Sequence, residues 1–341
     1  MRRSDAARER IVRACAAPGD ERGLRERALA EIREVVPFDF HAWVLTDPET
    51  CVGTAPLATI PALDALPTLI RLKYLTPVLR WTTLAGVAAL ADGDPARSLL
   101  WRELLAGYGV RDVACVVFAD RFGCWAFLDL WRTGGTFTAA ELRFLDSLRP
   151  ALTTGIRSAL LGTFTPAGPV PAGPAVLLLD GDLAPRTGTP GSDTHLRALL
   201  PTPPDRSPVP AAALNAAAQL LAVEAGIDAH PPHARLPLAS GAWVGVRAAR
   251  LDAGSTGSGD PAIAVTIERA GPADRRAVFG RVAGLSHRER ELLDVLAAGA
   301  DSRGAARALG IAEGTVHDHL KSVFAKTGAR GRHELLARVA G

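Results

Sequence analysis

The last 57 residues, Leu285 to Gly341, constrain the fold more strongly than any other part of the chain. Their apolar residues recur at helical spacing in four short segments, and a glycine follows each of the first three segments. Ser286 and Glu289 lie three residues apart at the start of the first segment, which predicts a capping box. The pattern predicts a bundle of four short helices for this part of the chain.

The third segment combines an inner apolar face with an outer polar face. Val316, Leu320 and Val323 recur at helical spacing, so they are expected to pack inward. The outward residues are then Thr315, His317, Asp318, Lys321 and Ser322. A tight glycine turn before such a helix is typical of a helix-turn-helix arrangement. A bundle that only packs would share the same inner face, so the pattern alone leaves both interpretations open.

A resemblance to the LuxR/FixJ-type DNA-binding domain is carried by three segments, LSHRERELLDVLAAG, ARALGIAEGTVHDHLKSVFAKTGA and RHELLARV. The resemblance covers nearly all of residues 285–341. It implies an all-α four-helix helix-turn-helix domain in a sequence-specific transcriptional regulator, with the double-stranded DNA of a promoter operator as partner. It also implies a homodimer, because such domains place two recognition helices in half-sites about one helical turn apart.

The resemblance further implies roles for individual residues. His317, Asp318 and Lys321 occupy positions that reach base edges, where Lys321 would donate to guanine and Asp318 would accept from cytosine. The alternative is an ion pair between Asp318 and Lys321, three residues apart, which would weaken base reading. The predicted phosphate contacts are Ser302, Arg303, Thr315, Ser322 and Lys326. Val316 completes the predicted DNA-binding set, and the predicted dimer face consists of Leu335, Leu336 and Val339.

The segment departs from the family pattern at four positions, one of which is Ala305, where a larger aliphatic residue is common. Ala312 stands where the family usually has a hydroxyl or Asn cap, and loss of such a cap costs about 1 kcal/mol. Gly304 stands where Glu is common, and Gly331 stands where the fourth helix often begins with Ser. The isolated domain is therefore expected to be less stable than a typical member.

Residues 1–162 show the order helix, strand, helical insert, hairpin and long closing helix. Residues 38–45 and the pair 112–118 and 124–131 have the composition of strands, and ADRFG between the last two is a hairpin signal. Thr138 and Glu141 predict a capping box for the closing helix. This order resembles a GAF-type sensor domain. Residues 163–174 are rich in Pro and Gly and are interpreted as a linker.

Residues 175–270 resemble a PAS-like domain. Strands are expected at 175–179, 236–238, 243–250 and 262–268, with a helix at 211–225 and a flexible loop at 254–260. Residues 271–284 form a charged connector. The predicted fold class is therefore α+β sensor domains, GAF-like and then PAS-like, followed by the all-α domain at 285–341.

Charge and cysteine content limit the functional classes. The net charge is +3, and residues 285–341 contain nine Lys and Arg against seven Asp and Glu, so non-specific DNA binding is expected to be weak. No pair of the four cysteines has CxxC spacing, which favours buried thiols, although Cys115 and Cys124 would form a redox pair if two strands brought them together. The first 15 residues lack the apolar region of a signal peptide, and no apolar run reaches the length of a membrane span, so a cytoplasmic location is expected.

The motifs of common enzymes are missing from the sequence. There is no phosphate-binding GxxxxGK[ST] loop, no GxSxG elbow and no HExxH, so no catalytic residue, metal site or cofactor is predicted. His230 and His233 flank two prolines, which favours a solvated loop over a metal site. The family's phosphoryl-accepting acidic cluster is also missing. Trp43, Tyr74 and Trp81 do not reproduce the pattern of autoinducer-binding members.

The predicted function is that of a DNA-binding transcriptional regulator whose sensor region responds to a small-molecule or protein effector. The five tryptophans at 43, 81, 101, 125 and 131 are candidates for lining an apolar pocket, although core and interface packing is the favoured interpretation for any single one of them. The alternative function is a protein-binding regulatory module with weak DNA binding.

Overall fold

The computed structural model describes residues 2–165, 168–251 and 262–340, so the loop expected at 254–260 lies outside the described residues. An N-terminal α+β region with two antiparallel sheets is followed by a helical C-terminal domain. The strands are β1 (Phe40–Thr46), β2 (Gly53–Thr59), β3 (Val87–Ala89), β4 (Asp112–Asp120), β5 (Gly123–Arg132), β6 (Ala175–Leu179), β7 (Pro185–Gly188), β8 (His233–Pro237), β9 (Trp243–Arg250) and β10 (Ile263–Arg269).

Twelve α-helices lie within the described residues. They are α1 (Arg2–Ala16), α2 (Glu21–Val35), α3 (Leu66–Leu75), α4 (Leu99–Glu103), α5 (Ala139–Leu161), α6 (Ser192–Leu199), α7 (Ala211–Glu224), α8 (Pro272–Val282), α9 (His287–Ala297), α10 (Ser302–Leu309), α11 (Glu313–Thr327) and α12 (Arg332–Ala340). Both predicted capping boxes are present, at Thr138 with Glu141 and at Ser286 with Glu289. None of the helices within the described residues is both long enough and apolar enough to cross a membrane.

The first sheet has the strand order β2-β1-β5-β4-β3. Its β4–β5 hairpin is the one expected from ADRFG, whereas β2 was not predicted from the sequence because Gly53 and Pro56 obscure its alternation. Gly53 is required by packing rather than by a turn. A Cβ atom there would lie 2.9 Å from the side-chain amide of Asn215 on α7, so only glycine lets β2 approach this helix so closely.

The second sheet has the strand order β7-β6-β10-β9-β8, which repeats the order of the first sheet when strands are counted within each half. Helix α7 packs on β9 and β10 of its own sheet and also on α3 and β2 of the first half. The buried apolar side chains of the two halves form one continuous cluster that includes Trp81, Phe127, Leu177 and Val265. The two halves therefore share one apolar core.

The C-terminal domain is held against the N-terminal region by helix α8. Phe279 of α8 lies in one apolar cluster with residues of α1, α2, α5, α9 and α12, including Leu335. The buried Arg275 donates hydrogen bonds to the carbonyl oxygens of Thr165 at 2.8 Å, Gly241 at 3.1 Å and Arg338 at 3.0 Å. One side chain thereby joins the end of α12 to the segment after α5 and to the turn between β8 and β9.

Candidate nucleic-acid interface

Helices α10 and α11 form a helix-turn-helix unit. Asp301 caps α10 by accepting a hydrogen bond from the backbone N–H of Gly304 at 2.6 Å. Gly310 adopts a left-handed conformation with φ of 64°, which allows the tight turn between the helices. Ala312 provides no side-chain cap for α11, as its residue type predicted. Small residues, including the fully buried Ala305, let the helices pack closely around Leu292, Leu296 and Leu320.

The outer face of α11 is free of contacts with the N-terminal region. Thr315 and His317 are exposed, and the side chains of Asp318 and Lys321 are 78% and 80% exposed. The Nδ1 atom of His317 lies 2.8 Å from the carbonyl oxygen of Glu313. Because a carbonyl oxygen only accepts, Nδ1 is the donor of this hydrogen bond, and Nε2 is the ring nitrogen left for an external partner.

The ion pairs around this face are exposed. The Nζ atom of Lys321 lies 3.7 Å from Oδ1 of Asp318, and Nε of Arg303 lies 3.1 Å from Oε1 of Glu313. The first pair is the one that the sequence left open as an alternative to base reading. Such pairs contribute little in water, so both basic groups are available to an anionic partner. Ser302 is half-buried in the first turn of α10, beside Arg303.

Two of the predicted phosphate contacts have a partner inside the domain. Ser322 Oγ donates to Glu289 Oε1 at 2.6 Å, and Lys326 Nζ donates to the same carboxylate at 2.6 and 2.8 Å. Burial alone would raise the pKa of Glu289, but the hydrogen bonds from Lys326 and Ser322 lower it to about 2. Glu289 therefore both caps α9 and fixes α11 against it. Phosphate binding by Ser322 would require release of this carboxylate, whereas Lys326 has three N–H donors and uses two of them on Glu289.

Replacement of Glu289 by Gln is expected to lower the free energy of unfolding of the C-terminal domain by about 2 kcal/mol, because the ion pair with Lys326 and one of the two acceptor oxygens are lost. The stabilisation by Glu289 is fully present above its ordinary pKa of 4.5 and is lost as the pH falls toward about 2, so the difference between the variants should shrink on acidification. Urea denaturation at several pH values measures this. Glu291→Gln, at a more exposed ion pair, is the control and should change little.

Three residues of the predicted sets lie in the interior. Val316 is fully buried in the core of the C-terminal domain, so its side chain does not belong to the exposed face of α11. Leu335 and Val339 of the predicted dimer face are 0% and 1% exposed, which contradicts a role as surface residues in this arrangement. They pack in the cluster that contains Phe279, since the connector helix α8 has its own apolar stripe that needs a partner. Leu336 remains half-buried.

A cavity of about 430 Å³ lies in the N-terminal region, between the first sheet, α3 and α7. Among the five tryptophans considered above, Trp131 lines it, and the others do not. The Nε1 atom of Trp131 and the Oδ1 atom of Asp129 are buried without a hydrogen-bond partner among the described residues. Lys73 Nζ lies 2.7 Å from Oδ2 of Asp129, and although burial would lower the pKa of Lys73, the carboxylate raises it. The cavity thus combines apolar walls with a few polar groups, as in a small-molecule site.

The expectation of a solvated loop around His230 and His233 is wrong, whereas the expectation of buried thiols is confirmed at Cys115 and Cys124. His230 and His233 are half-buried rather than solvated, since His233 begins β8 and His230 Nδ1 lies 2.6 Å from Asp228 Oδ1. Cys115 and Cys124 are on adjacent strands but are not paired across them, because Cys115 faces Asp129 and Cys124 faces Ala119. Within the described residues, no group of His, Cys, Asp and Glu could hold a metal ion.

A family model matches the helical C-terminal domain. Residues 283–339 match the family model of bacterial regulatory proteins, luxR family. No curated protein sequence matches the chain. A crystal structure of Escherichia coli SdiA is similar, with 13% identity, coverage of 98% of this chain and 95% of that chain, and a TM-score of 0.39. SdiA in complex with octanoyl-rac-glycerol is similar at 12% identity, with 98% and 94% coverage and a TM-score of 0.34. Residues 283–339 of this chain are a LuxR-family helix-turn-helix domain.

Proposed function

We propose that the chain is a sequence-specific DNA-binding transcriptional regulator, without catalytic activity and acting in the cytoplasm, whose N-terminal region modulates the C-terminal domain. The observation that carries the proposal is the free outer face of α11, where Thr315, His317, Asp318 and Lys321 are exposed beyond the turn at Gly310. A polar helix face that follows a tight turn fits the major groove of DNA.

The geometry supports distinct roles on this face. Lys321 extends into solvent and would donate to guanine O6 and N7. With Nδ1 bonded to the carbonyl oxygen of Glu313, a neutral His317 ring would accept at Nε2 from an exocyclic amine of cytosine or adenine. Asp318 is exposed and would accept from cytosine N4. Thr315, Arg303 and Ser302 would contact phosphate groups and position the helix.

The test is a DNA titration by fluorescence anisotropy. Sites are first selected from a random duplex library, and binding of the best site and of a scrambled duplex is then measured at two salt concentrations. A regulator should prefer the selected site at both concentrations, with affinity that falls steeply as salt rises. Absence of any selected sequence would contradict the proposal and favour a protein-binding module.

Homodimerisation is part of the proposal, because two half-sites are bound by two recognition helices. Since Leu335 and Val339 are internal, Leu336 is the member of the predicted dimer face that remains partly accessible. Sedimentation analysis of the free chain and of its DNA complex would determine the stoichiometry, and one chain per complete operator would contradict a dimer.

For the N-terminal region we propose a GAF-like unit at residues 1–162 and a PAS-like unit at 175–270, joined by a linker at 163–174 and followed by the connector at 271–284. The repeated strand order of the two sheets supports this division. The cavity beside Trp131 is the proposed effector site. Its walls are mainly apolar, and the unpaired donor of Trp131 and acceptor of Asp129 suit a small molecule that carries both a hydrogen-bond acceptor and a donor.

Replacement of Trp131 by Phe is expected to lower effector affinity by about tenfold, since one buried hydrogen bond would be lost. Native mass spectrometry of the purified chain identifies a retained small molecule, and its occupancy is then compared between variants. Trp43→Phe is a matched control, because Trp43 Nε1 is also buried and unpaired but the side chain lies in the other apolar cluster, outside the cavity. Equal loss of occupancy in both variants would contradict this assignment.

A further inference from the structure

The cavity beside Trp131 carries an excess of positive charge that the proposed function leaves unused. Its lining includes three basic residues and one acidic residue, which are Arg22, Lys73, Arg206 and Asp129. Lys73 and Asp129 form a buried ion pair with 2.7 Å between Nζ and Oδ2, so these two charges balance each other. Two positive charges therefore remain in the lining, at Arg22 and Arg206.

The cavity has a buried end and an open end, and the two remaining charges are at the open end. Trp131 and Asp129 are 1% and 2% exposed. Arg22 and Arg206 are exposed, and so is Leu63 in the same lining. A ligand would therefore have one end among buried polar atoms and its other end beside two guanidinium groups.

The two arginines differ in the partners that they already have. Nε of Arg22 lies 3.1 Å from Oε1 of Glu26 in an exposed pair on the same helix, and such a pair is easily exchanged for another anion. Among the described residues, the guanidinium group of Arg206 forms no ion pair, and its neighbour Asp205 does not line the cavity. One negative charge on a ligand is therefore enough to balance the open end.

The arginines at the open end come from different halves of the N-terminal region. Arg22 is on α2, whereas Arg206 lies in the segment 200–210 between α6 and α7. Arg197 of α6 fixes this segment, because it donates from Nη1 to the carbonyl oxygen of Thr202 at 3.2 Å and from Nη2 to that of Arg206 at 2.7 Å. An anion that contacts both Arg22 and Arg206 would tie the two halves together across the cavity.

The walls between the two ends are mainly apolar. Leu57 of β2, Leu66 and Ile70 of α3 and Phe127 of β5 all line the cavity. A polar group in the middle of a ligand would lose its hydrogen bonds to water there without gaining others, so the body of the ligand should be apolar.

We propose that the effector of this cavity is a small hydroxy acid with an apolar body. Its carboxylate binds Arg22 and Arg206 at the open end, through charge-assisted hydrogen bonds. Its hydroxyl group donates to Asp129 Oδ1 and accepts from Trp131 Nε1, the two buried atoms that have no partner among the described residues. A hydroxyl group fits this end because it is both a donor and an acceptor. The inference rests on the proposed function in treating the cavity as the effector site.

The test is isothermal titration calorimetry of the dialysed full-length chain with four probes of equal chain length. These are ω-hydroxydecanoate, its methyl ester, α,ω-decanediol and decanoate, and we expect ω-hydroxydecanoate to bind most tightly. The methyl ester and the diol should bind about tenfold more weakly, because the carboxylate that pairs with the arginines is missing. Decanoate should also bind about tenfold more weakly, because the buried donor and acceptor stay unpaired.

Variants at the open end separate charge from shape. The double replacement of Arg22→Gln and Arg206→Gln should weaken binding of ω-hydroxydecanoate by about tenfold and leave binding of the diol unchanged. Both residues are exposed, so the thermal stability of the chain should not change. Arg27→Gln is the matched control, since Arg27 is exposed on the same helix as Arg22 but does not line the cavity, and it should bind every probe like the wild type.

Three outcomes would overturn the proposal. Equal affinity for ω-hydroxydecanoate and its methyl ester, or full affinity for the acid in the double variant, would refute the role of the arginines. Equal affinity for ω-hydroxydecanoate and decanoate would refute the hydroxyl group, and no binding of any probe would refute the ligand class. The effector site itself is decided by the separate comparison of Trp131→Phe with Trp43→Phe, which uses no added acid, so the two failures are distinguishable.

Discussion

Replacing Arg235 with Ala is expected to lower the free energy of unfolding by about 3–5 kcal/mol, the cost of leaving a buried charge without its partner. Arg235 on β8 donates from Nε to Asp47 Oδ2 at 2.7 Å and from Nη2 to Asp47 Oδ1 at 2.8 Å. The two side chains are 5% and 0% exposed. The pair joins the two halves of the N-terminal region, so its loss should lower the stability of both halves.

The pH dependence of the destabilisation in Arg235→Ala tests whether the ion pair with Asp47 is its cause. Burial alone would raise the pKa of Asp47, but Arg235 overrides it and the pKa is lowered. In the wild type, the stabilisation is present above the ordinary pKa of 3.8 and is lost as the pH falls through the lower folded value. In Arg235→Ala the guanidinium is missing, so the buried Asp47 carboxylate is unpaired and destabilises the fold. This destabilisation disappears when Asp47 is protonated. The difference in free energy of unfolding between the wild type and Arg235→Ala should therefore become smaller at acidic pH.

Arg247→Ala is the matched control for urea denaturation. Arg247 lies on the neighbouring strand β9, directly across from His233, and its side chain is exposed. Its removal should change the free energy of unfolding by no more than about 0.5 kcal/mol. A loss below about 1 kcal/mol in Arg235→Ala would mean that water reaches Asp47 and that the pair is not the main tie between the halves.

The C-terminal domain was the part best predicted from sequence, because its information is local. Ser286 with Glu289 and the glycine at 310 each act within one or two helical turns, and the structure has the helices where these signals place them. The inward direction of Val316 also followed from helical spacing, and its inclusion among DNA contacts came from the family resemblance alone. The exposed face of α11 also agrees with the helical spacing of its polar residues, because this spacing is a local signal.

The contacts that join distant segments were not predicted. Nothing in the spacing around His230 indicates Cys51, which is 179 residues away and meets it only because the two sheets pack together. From the sequence, Ser322 and Lys326 were expected to be free for phosphate contacts. Their hydrogen bonds with Glu289 could not be foreseen, because they form only when α9 and α11 pack together. The burial of Leu335 depends on α8 in the same way. Periodicity gives the direction of a side chain but not the identity of the group that it meets.

The second large effect is expected at Lys321. Replacing it with Glu should weaken binding to the selected operator by roughly 10- to 100-fold, because a base contact worth about 1–3 kcal/mol is lost and a negative charge is placed against the DNA. The side chain is 80% exposed, so the thermal stability of the chain should not change. Anisotropy titrations at several salt concentrations measure both the affinity and the salt dependence.

The comparison with other charge changes separates base reading from general electrostatics. Arg8→Glu makes the same change in net charge at an exposed position on α1 and should leave operator affinity within about twofold, since exposed charges beyond a Debye length are screened.

Lys321→Ala should lose sequence preference as well as affinity, whereas loss of a phosphate contact alone would weaken binding to all sequences equally. Asp318→Ala resolves the role of the 3.7 Å pair, because a residue that only restrains Lys321 can be removed without loss of specificity. Full affinity and unchanged preference in both Lys321 variants would place the recognition surface elsewhere on the chain.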